Sequence, residues 1–231
     1  MTDLIANLRA VRERVAAAAA RSGRQARDVR LIAVSKTRPL ADVEALAAAG
    51  QVDFGESTIQ DASTKIPHRP DLNWHLIGHL QSNKTRFVPG LFDWVHSVDS
   101  EKLAARIARA AEQQGKVIKV LLQVNVSGDP AKYGFGVDEL FAVAERLLEK
   151  NYAGIRLKGL MTIGRRGLDE AGTRRSFSDL RELARGAAER FGEAYFDELS
   201  MGMSGDYEIA IEEGATQVRV GTGLFGERGG R

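Results

Sequence analysis

One lysine, Lys36, lies where an apolar run ends, and its amine is a group that could do chemistry. The run covers residues 31–35, and Arg38-Pro39 ends it. This pattern predicts a buried strand with an amine at its C-terminal tip. Desolvation there would lower the pKa of the amine toward the range in which its neutral form attacks carbonyl groups. From this stretch alone, the simpler interpretation is a lysine that reaches solvent.

Two glycine-rich turns near the C-terminus have residue types that bind anions. The first, residues 202–206, contains Ser204, which we expect to be the N-cap of the next helix. In the second, Thr222 lies between two glycines, and Gly221 directly follows an apolar run. Either turn alone is typical of an ordinary strand-to-helix connection. The two together favour a phosphate site.

The elements that must position these groups alternate along the chain. The predicted strands are 29–35, 52–55, 73–78, 94–98, 117–126, 155–162, 198–202 and 217–221. The predicted helices are 3–22, 40–49, 100–114, 137–150, 170–191 and 204–213. Such alternation indicates an α/β protein with a parallel sheet. Eight units most economically form a single (β/α)8 TIM barrel with an extra N-terminal helix. An open doubly wound sheet is the alternative, although no Gly-x-Gly-x-x-Gly follows the first strand.

A closed barrel makes the first and last strands neighbours, which brings the candidate residues together. Active sites of such barrels lie at the C-terminal ends of the strands, and phosphates often bind after strands 7 and 8. Arg219, near the end of strand 8, would then face the same ligand as Lys36. A structural ion pair is an equally good interpretation of this arginine.

Further polar residues fall at predicted strand ends and are expected to form the pocket wall. Each of them also suits loop hydrogen bonding or capping. His75 and His79 straddle a strand end and a glycine, so we expect no metal site there. The expected wall residues are Glu56, Ser57, His79, His96, Met161 and Lys132.

Composition excludes several classes of protein. The 231 residues carry a net charge of +2, which gives no broad nucleic-acid footprint. There is no cysteine, which excludes disulfides, thiolate metal sites and a cysteine nucleophile. No apolar run approaches the ~18 residues of a membrane span, and the N-terminus lacks a signal-peptide pattern. We therefore expect one cytoplasmic domain over residues 1–231 that binds neither nucleic acid nor membrane.

The chain resembles the pyridoxal phosphate homeostasis protein family, also called the proline synthase co-transcribed homologue family. That family is a single barrel like the N-terminal domain of alanine racemase. The resemblance covers nearly the whole chain after the first helix. The stretches that carry it are AVSKT (33–37), DFGE (53–56), WHLIGHLQSNK (74–84), HSVDS (96–100), QVNVSGDPAKYG (123–134), KGLMTI (158–163), ELSMGMSGDYEIAI (198–211) and TQVRVGTGLFGER (216–228).

The resemblance implies a pyridoxal 5'-phosphate cofactor held as an aldimine on Lys36. Arg219 matches the residue that faces the pyridine nitrogen, and Lys132 matches a second lysine implicated in cofactor handling. One departure from the family is Ser57, which stands where an asparagine is usual and puts a ring contact in doubt. The implied phosphate contacts are Ser204, Gly221 and Thr222, and Met203 is grouped with the cofactor-binding residues.

The function implied by the resemblance is to bind, buffer and deliver pyridoxal phosphate rather than to catalyse a reaction. Racemases resemble this barrel plus a β-domain whose tyrosine completes the site, and this chain stops after strand 8. The alternative is a slow pyridoxal phosphate-dependent amino-acid racemase. A protein–protein adaptor would need no cofactor. We expect a monomer that makes transient contact with the apo-enzymes receiving the cofactor.

Overall fold

The computed structural model describes residues 3–126, 133–164 and 167–227. Within these ranges eight parallel strands pair in sequence order, and the last pairs with the first to close a barrel. The strands are β1 (Arg30–Val34), β2 (Asp53–Glu56), β3 (Asn73–Leu76), β4 (Trp94–Val98), β5 (Ile118–Gln123), β6 (Ile155–Met161), β7 (Glu198–Met203) and β8 (Gln217–Val220).

Helices connect the strands and surround the barrel. They are α1 (Leu4–Arg21), α2 (Leu40–Ala48), α3 (Ile59–Ser63), α4 (Val88–Leu91), α5 (Glu101–Glu112), α6 (Leu140–Lys150), α7 (Glu170–Phe191), α8 (Tyr207–Glu212) and α9 (Thr222–Phe225). Short 3-10 helices cover Ala26–Asp28, Ile66–His68, Ser82–Phe87 and Glu193–Tyr195. Among the described helices, none is long and apolar enough to cross a membrane.

The predicted fold class is confirmed: the chain is a (β/α)8 barrel with an extra N-terminal helix. All eight predicted strands are present, with ends that differ by a few residues. One prediction about a helix start is wrong. Helix α8 begins at Tyr207 with Asp206 as its N-cap residue, so Ser204 is not the N-cap of this helix. The Oδ1 of Asp206 instead accepts a hydrogen bond from the Met203 amide at 2.6 Å.

Alternation along the strands divides the barrel into an apolar outside and a more polar inside. Outward-facing residues such as Phe54 and Trp74 join the main core beneath the helices. Inside the barrel, Trp94, Leu121 and Met161 form a small separate apolar cluster. Polar side chains fill much of the remaining interior, where barrels of this kind usually carry branched apolar residues. The buried polar residues on strands β2, β3, β4, β7 and β8 include Asp53, His75, His96, Ser200, Gln217 and Arg219.

Helix α1 covers one side of the barrel next to β8. Its buried face consists of Leu8, Val11, Val15, Ala18 and Ala19, which explains the alanine-rich second half of the helix as close packing. A side-chain amide adds a specific contact, since Asn7 Nδ2 donates to Leu224 O at 2.8 Å. The N-terminal helix therefore packs directly beneath the turn that follows β8.

Gly159 allows strands β6 and β7 to approach each other, and its substitution tests the barrel. Its φ is +151°, and an added Cβ would lie 1.8 Å from Glu198 O. We expect Gly159→Ala to lower the free energy of unfolding by roughly 3 kcal/mol or more, because backbone must move. In Gly205→Ala the new methyl group meets nothing within 4 Å. Urea unfolding should show little change for this control, and equal losses in both variants would contradict the close approach.

Candidate functional site

The C-terminal ends of β8, β1 and β7 bring most of the predicted binding residues to one mouth of the barrel. Strands β1 and β8 pair in register, with Ala33 opposite Val220. A Cβ placed on Gly221 would lie 3.6 Å from Val34, so the ends of the two strands are in contact. Strand β7 joins the group because Met203 lies opposite Arg219. Three neighbouring strands therefore carry the candidate site.

Lys36 lies at this mouth, in a turn rather than on the strand itself. Strand β1 ends at Val34, and Lys36 is a solvent-exposed residue of the turn that follows. The interpretation of Lys36 as a lysine that reaches solvent therefore agrees with this position, and the alternative of a desolvated amine at the strand tip does not. Lys36 is instead accessible to a ligand that approaches the barrel from solvent.

Ser204 organises the turn after β8. Its Oγ accepts hydrogen bonds from the backbone amides of Gly221 at 3.1 Å and Gly223 at 3.3 Å. Both amides are thereby directed toward the β7 turn, and Thr222 between them is exposed. Serine hydroxyl, threonine hydroxyl and backbone amides are all donors that an anion prefers. The two glycine-rich turns thus form one polar surface.

Arg219 lies beneath this surface with only 4% of its area exposed. One guanidinium nitrogen donates to Ser200 Oγ at 2.5 Å, and the other terminal nitrogen donates to Thr162 O at 2.8 Å. No carboxylate of the described chain lies within ion-pair distance of it. Burial lowers the pKa of Arg219 to about 10, so the side chain remains charged at neutral pH.

A chain of hydrogen bonds leads from Arg219 across the barrel interior. His96 Nδ1 lies 2.8 Å from Ser200 Oγ, and its Nε2 lies 2.9 Å from His75 Nδ1. His75 Nε2 lies 3.1 Å from Asp53 Oδ1 at the start of β2. The interior therefore contains one continuous chain of hydrogen bonds, which runs from below the mouth to the start of β2 at the other end of the barrel.

The chemistry of the two ends gives this chain a direction. Arg219 can only donate and an ionised Asp53 can only accept. Burial lowers the pKa of His96 well below its ordinary value, and burial also lowers that of His75 despite the opposing effect of Asp53. Both rings are therefore neutral. The arrangement that satisfies every bond has the Ser200 hydroxyl donating to His96 and each histidine protonated at Nε2.

Glu56 was expected in the pocket wall, but it has no exposed surface. Its Oε1 accepts hydrogen bonds from Ser35 Oγ at 2.6 Å and from Lys65 Nζ at 2.8 Å. Its Oε2 is buried and has no hydrogen-bond partner in the described part of the chain. Burial raises the pKa of Glu56 to about 7, against the opposing bonds from Lys65 and Ser35.

The other expected wall residues divide into three groups. His96 and Met161 are fully buried in the barrel interior, below the mouth rather than at it. Ser57 is half-buried after β2. His79 is exposed, pairs with Asp99 at 3.1 Å and stacks on Tyr133 with ring centroids 3.8 Å apart. Lys132 lies outside the described residues.

Several residues of this site had no distinct signal in the sequence. Lys65 is followed by Ile-Pro-His and has an acidic residue four positions earlier, a spacing typical of exposed helical pairs. Ser200 is one of many serines.

Over residues 3–126, 133–164 and 167–227, no group of three or more His, Cys, Asp or Glu side chains could hold a metal ion.

The raised pKa of Glu56 predicts a pH dependence of stability. An unfolded glutamate titrates near 4.5, so the folded state binds the extra proton between pH 4.5 and about 7. Stability should therefore fall as pH rises through this range, by at most about 3 kcal/mol from this group. Glu56→Gln cannot ionise and should remove this slope, as measured by urea unfolding at pH 5 and pH 8.

Glu198→Gln is the matched control for that prediction. The pKa of Glu198 is lowered, because hydrogen bonds from Thr216 and Gln217 outweigh burial. The Glu198 carboxylate therefore stabilises the fold at high pH, and this stabilisation is lost on acidification. Replacing Glu198 cannot remove a decrease in stability with rising pH, which is the effect expected from Glu56. An unchanged slope in Glu56→Gln would contradict the assignment.

Comparison with known proteins gives this geometry a family. Residues 6–229 match the family described as alanine racemase, N-terminal domain. A protein of Pseudomonas aeruginosa named pyridoxal phosphate homeostasis protein is 44% identical over 230 residues, covering 99% of this chain and 97% of its own. The Escherichia coli protein of the same name is 39% identical over 236 residues, covering 99% and 98%.

Solved structures agree with the sequence comparison. PipY of Synechococcus elongatus, with PLP bound, has a TM-score of 0.81 and 41% identity, covering 94% of this chain and all of its own. Alanine racemase of Streptomyces coelicolor has a TM-score of 0.69 and 21% identity, covering 97% of this chain and 59% of its own. The latter similarity concerns the fold alone. The chain belongs to the family of pyridoxal phosphate homeostasis proteins, whose barrel is that of the alanine racemase N-terminal domain.

Proposed function

We propose that this protein binds pyridoxal 5'-phosphate covalently through Lys36 and buffers or delivers it to enzymes that need it. The observation that carries the proposal is the arrangement of three different groups at one mouth. These are an exposed lysine, a polar surface of hydroxyls and amides, and a buried guanidinium below them. The names of the relatives and the PLP-bound neighbour support the same ligand.

The residues present fit the chemical groups of this cofactor. Its phosphate suits the hydroxyl donors of Ser204 and Thr222, and also the amide of Gly221 when that amide exchanges its bond to Ser204 Oγ for one to the phosphate. Its ring nitrogen is an acceptor that suits a donor-only residue such as Arg219. Met203, opposite Arg219 in the register, is half-buried and suits contact with the ring.

Each residue has a distinct part in holding the ligand. The cofactor supplies an aldehyde and an electron-withdrawing ring. Lys36 Nζ would hold the cofactor covalently by condensing with that aldehyde, with release of one water molecule. Arg219 would donate a hydrogen bond to the ring nitrogen. Because its pKa remains near 10, Arg219 does not supply a proton to that nitrogen at neutral pH.

This assignment favours retention over catalysis. A carboxylate beside the ring nitrogen would keep it protonated and make the ring a strong electron acceptor. Arg219 has the opposite effect, so carbanions on a bound amino acid would gain less stabilisation. We therefore assign a carrier role, with transient contact to the receiving apo-enzymes and a monomeric state as parts of the same proposal.

Substitution of Lys36 tests the covalent bond. Borohydride reduction of the protein incubated with pyridoxal phosphate should fix one pyridoxyl group on the wild type and none on Lys36→Ala, as read by peptide mass spectrometry. Lys84→Ala, which removes a lysine of the connection after β3, should retain full labelling.

Two outcomes would contradict the proposal. Labelling that persists in Lys36→Ala would remove the assigned bond. Interconversion of L- and D-amino acids by the wild type, lost in Lys36→Ala, would replace the carrier with a racemase.

The phosphate surface is tested by Ser204→Ala combined with Thr222→Ala. The loss of two hydroxyl donors should accelerate release of the cofactor about ten- to a hundredfold, at roughly 1 kcal/mol or more each. Thermal stability should fall less than cofactor retention, since Thr222 is exposed and the loss of Ser204 Oγ leaves only the amides of Gly221 and Gly223 without an acceptor. Ser97→Ala removes a hydroxyl that donates to Gly78 O, away from β7 and β8, and should leave the release rate unchanged. An unchanged rate in the double variant would exclude this phosphate surface.

A further inference from the structure

Lys36 occupies a tight turn with an unusual backbone. The amide of Arg38 donates to Ser35 O at 3.0 Å, which closes a turn with Lys36 as its second residue. The third residue, Thr37, has φ +63°. A β-branched residue rarely adopts this left-handed conformation, and doing so costs on the order of 1–3 kcal/mol. Such a turn persists only where its surroundings hold it.

A buried ammonium group lies under this turn. Lys65 is 3% exposed, and its Nζ has three oxygen partners, which equals the number of its N–H donors. It donates to Ser35 O at 2.8 Å and contacts Glu56 Oε1 at 2.8 Å and Asp61 Oδ1 at 2.9 Å. One of its three bonds therefore holds the first residue of the turn.

The two carboxylates complete the attachment on both sides of Lys36. Glu56 Oε1 also accepts a hydrogen bond from Ser35 Oγ at 2.6 Å. Asp61 Oδ2 accepts one from the amide of Thr37 at 2.6 Å. Although burial favours the protonated form, the bonds from Thr37 and Lys65 keep the pKa of Asp61 below its ordinary value. An ionised Asp61 therefore secures the residue with the strained φ.

The chemistry of this cluster indicates a purpose other than stability. Buried ion pairs are costly to desolvate, and apolar side chains of similar volume often stabilise a fold equally well. Apolar side chains could not accept a hydrogen bond from Thr37 N or donate one to Ser35 O. The ionic groups thus do what packing alone cannot, which is to fix the backbone on either side of one residue.

We propose that the buried cluster of Glu56, Lys65 and Asp61 is a positioning device that holds the Lys36 turn in a single conformation for reaction with the aldehyde. This inference rests on the proposed function. A fixed backbone removes the need to order the turn during the reaction, and such preorganisation accelerates bond formation. The three cluster residues act through Lys36 and need not touch the ligand.

Asp61→Ala in the full chain tests the device. The side chain of Asp61 is 25% exposed, so its removal leaves no sealed cavity. In the cofactor-free protein, the amide of Thr37 should exchange with deuterium at least tenfold faster. The rate constant for bond formation with saturating pyridoxal phosphate, followed by absorbance, should fall about tenfold, as expected for the loss of one charge-assisted hydrogen bond.

Asp71→Ala is the matched control. Asp71 lies in the same connection between β2 and β3 and pairs with Arg69 at 2.6 Å, but that pair lies away from the turn. Both the exchange of Thr37 and the rate of bond formation should match the wild type. Asp61→Asn retains only one of the two accepted bonds, so it should give intermediate values and remains usable if Asp61→Ala fails to fold.

The outcomes separate this inference from the proposed function. Wild-type exchange of Thr37 and wild-type reaction rates in both Asp61 variants would overturn the positioning role. A wild-type protein that forms no bond at Lys36 would overturn the proposed function, while the exchange measurement would still report on the turn. Equal effects of the Asp61 and Asp71 variants would also overturn the positioning role, because they would indicate a general loss of stability.

Discussion

A positive charge in the centre of the barrel is the constraint on which the interior depends. Arg219 is almost fully buried and has no ion-pair partner among the described carboxylates. A buried cation without compensation is expensive. Here the compensation is a set of dipoles, beginning with Ser200 and the carbonyl of Thr162. Because these groups lie on β7 and β8 and just after β6, the interior apolar cluster of Trp94, Leu121 and Met161 occupies β4, β5 and β6.

The two cationic side chains of the site, Arg219 and Lys36, are positioned in different ways. Arg219 is held directly, by hydrogen bonds from its guanidinium to Ser200 Oγ and Thr162 O, which belong to buried residues. Lys36 is exposed, and the backbone on either side of it is held by groups that lie one layer deeper. This division suits a reversible carrier. In the proposed carrier, the contact from Arg219 would be built into the core, whereas the bond to Lys36 would be made at a surface that water and partner molecules can reach.

Much of the fold and part of the site followed from local pattern. Apolar runs of regular spacing located all eight strands, and position at strand ends selected Lys36, Ser204, Gly221 and Thr222. Contacts between distant residues were not accessible in this way. His96 and Ser200 lie 104 positions apart, and their contact depends on barrel register. Ser204 lies at the end of β7 as predicted, but it does not begin helix α8. Its hydroxyl instead accepts a hydrogen bond from an amide in the turn after β8.

The direction of the interior hydrogen bonds restricts how this sequence can vary over evolutionary time. Each residue from Arg219 to His75 donates a hydrogen bond to the next residue, and Asp53 accepts the last one. Replacing a donor with an acceptor, or an acceptor with a donor, would leave two lone pairs or two hydrogens facing each other. Single substitutions are therefore unfavourable, whereas paired substitutions can preserve the donor-to-acceptor direction of the hydrogen bonds. Residues on five different strands should thus be inherited as one linked set, although none of them is near another in the sequence.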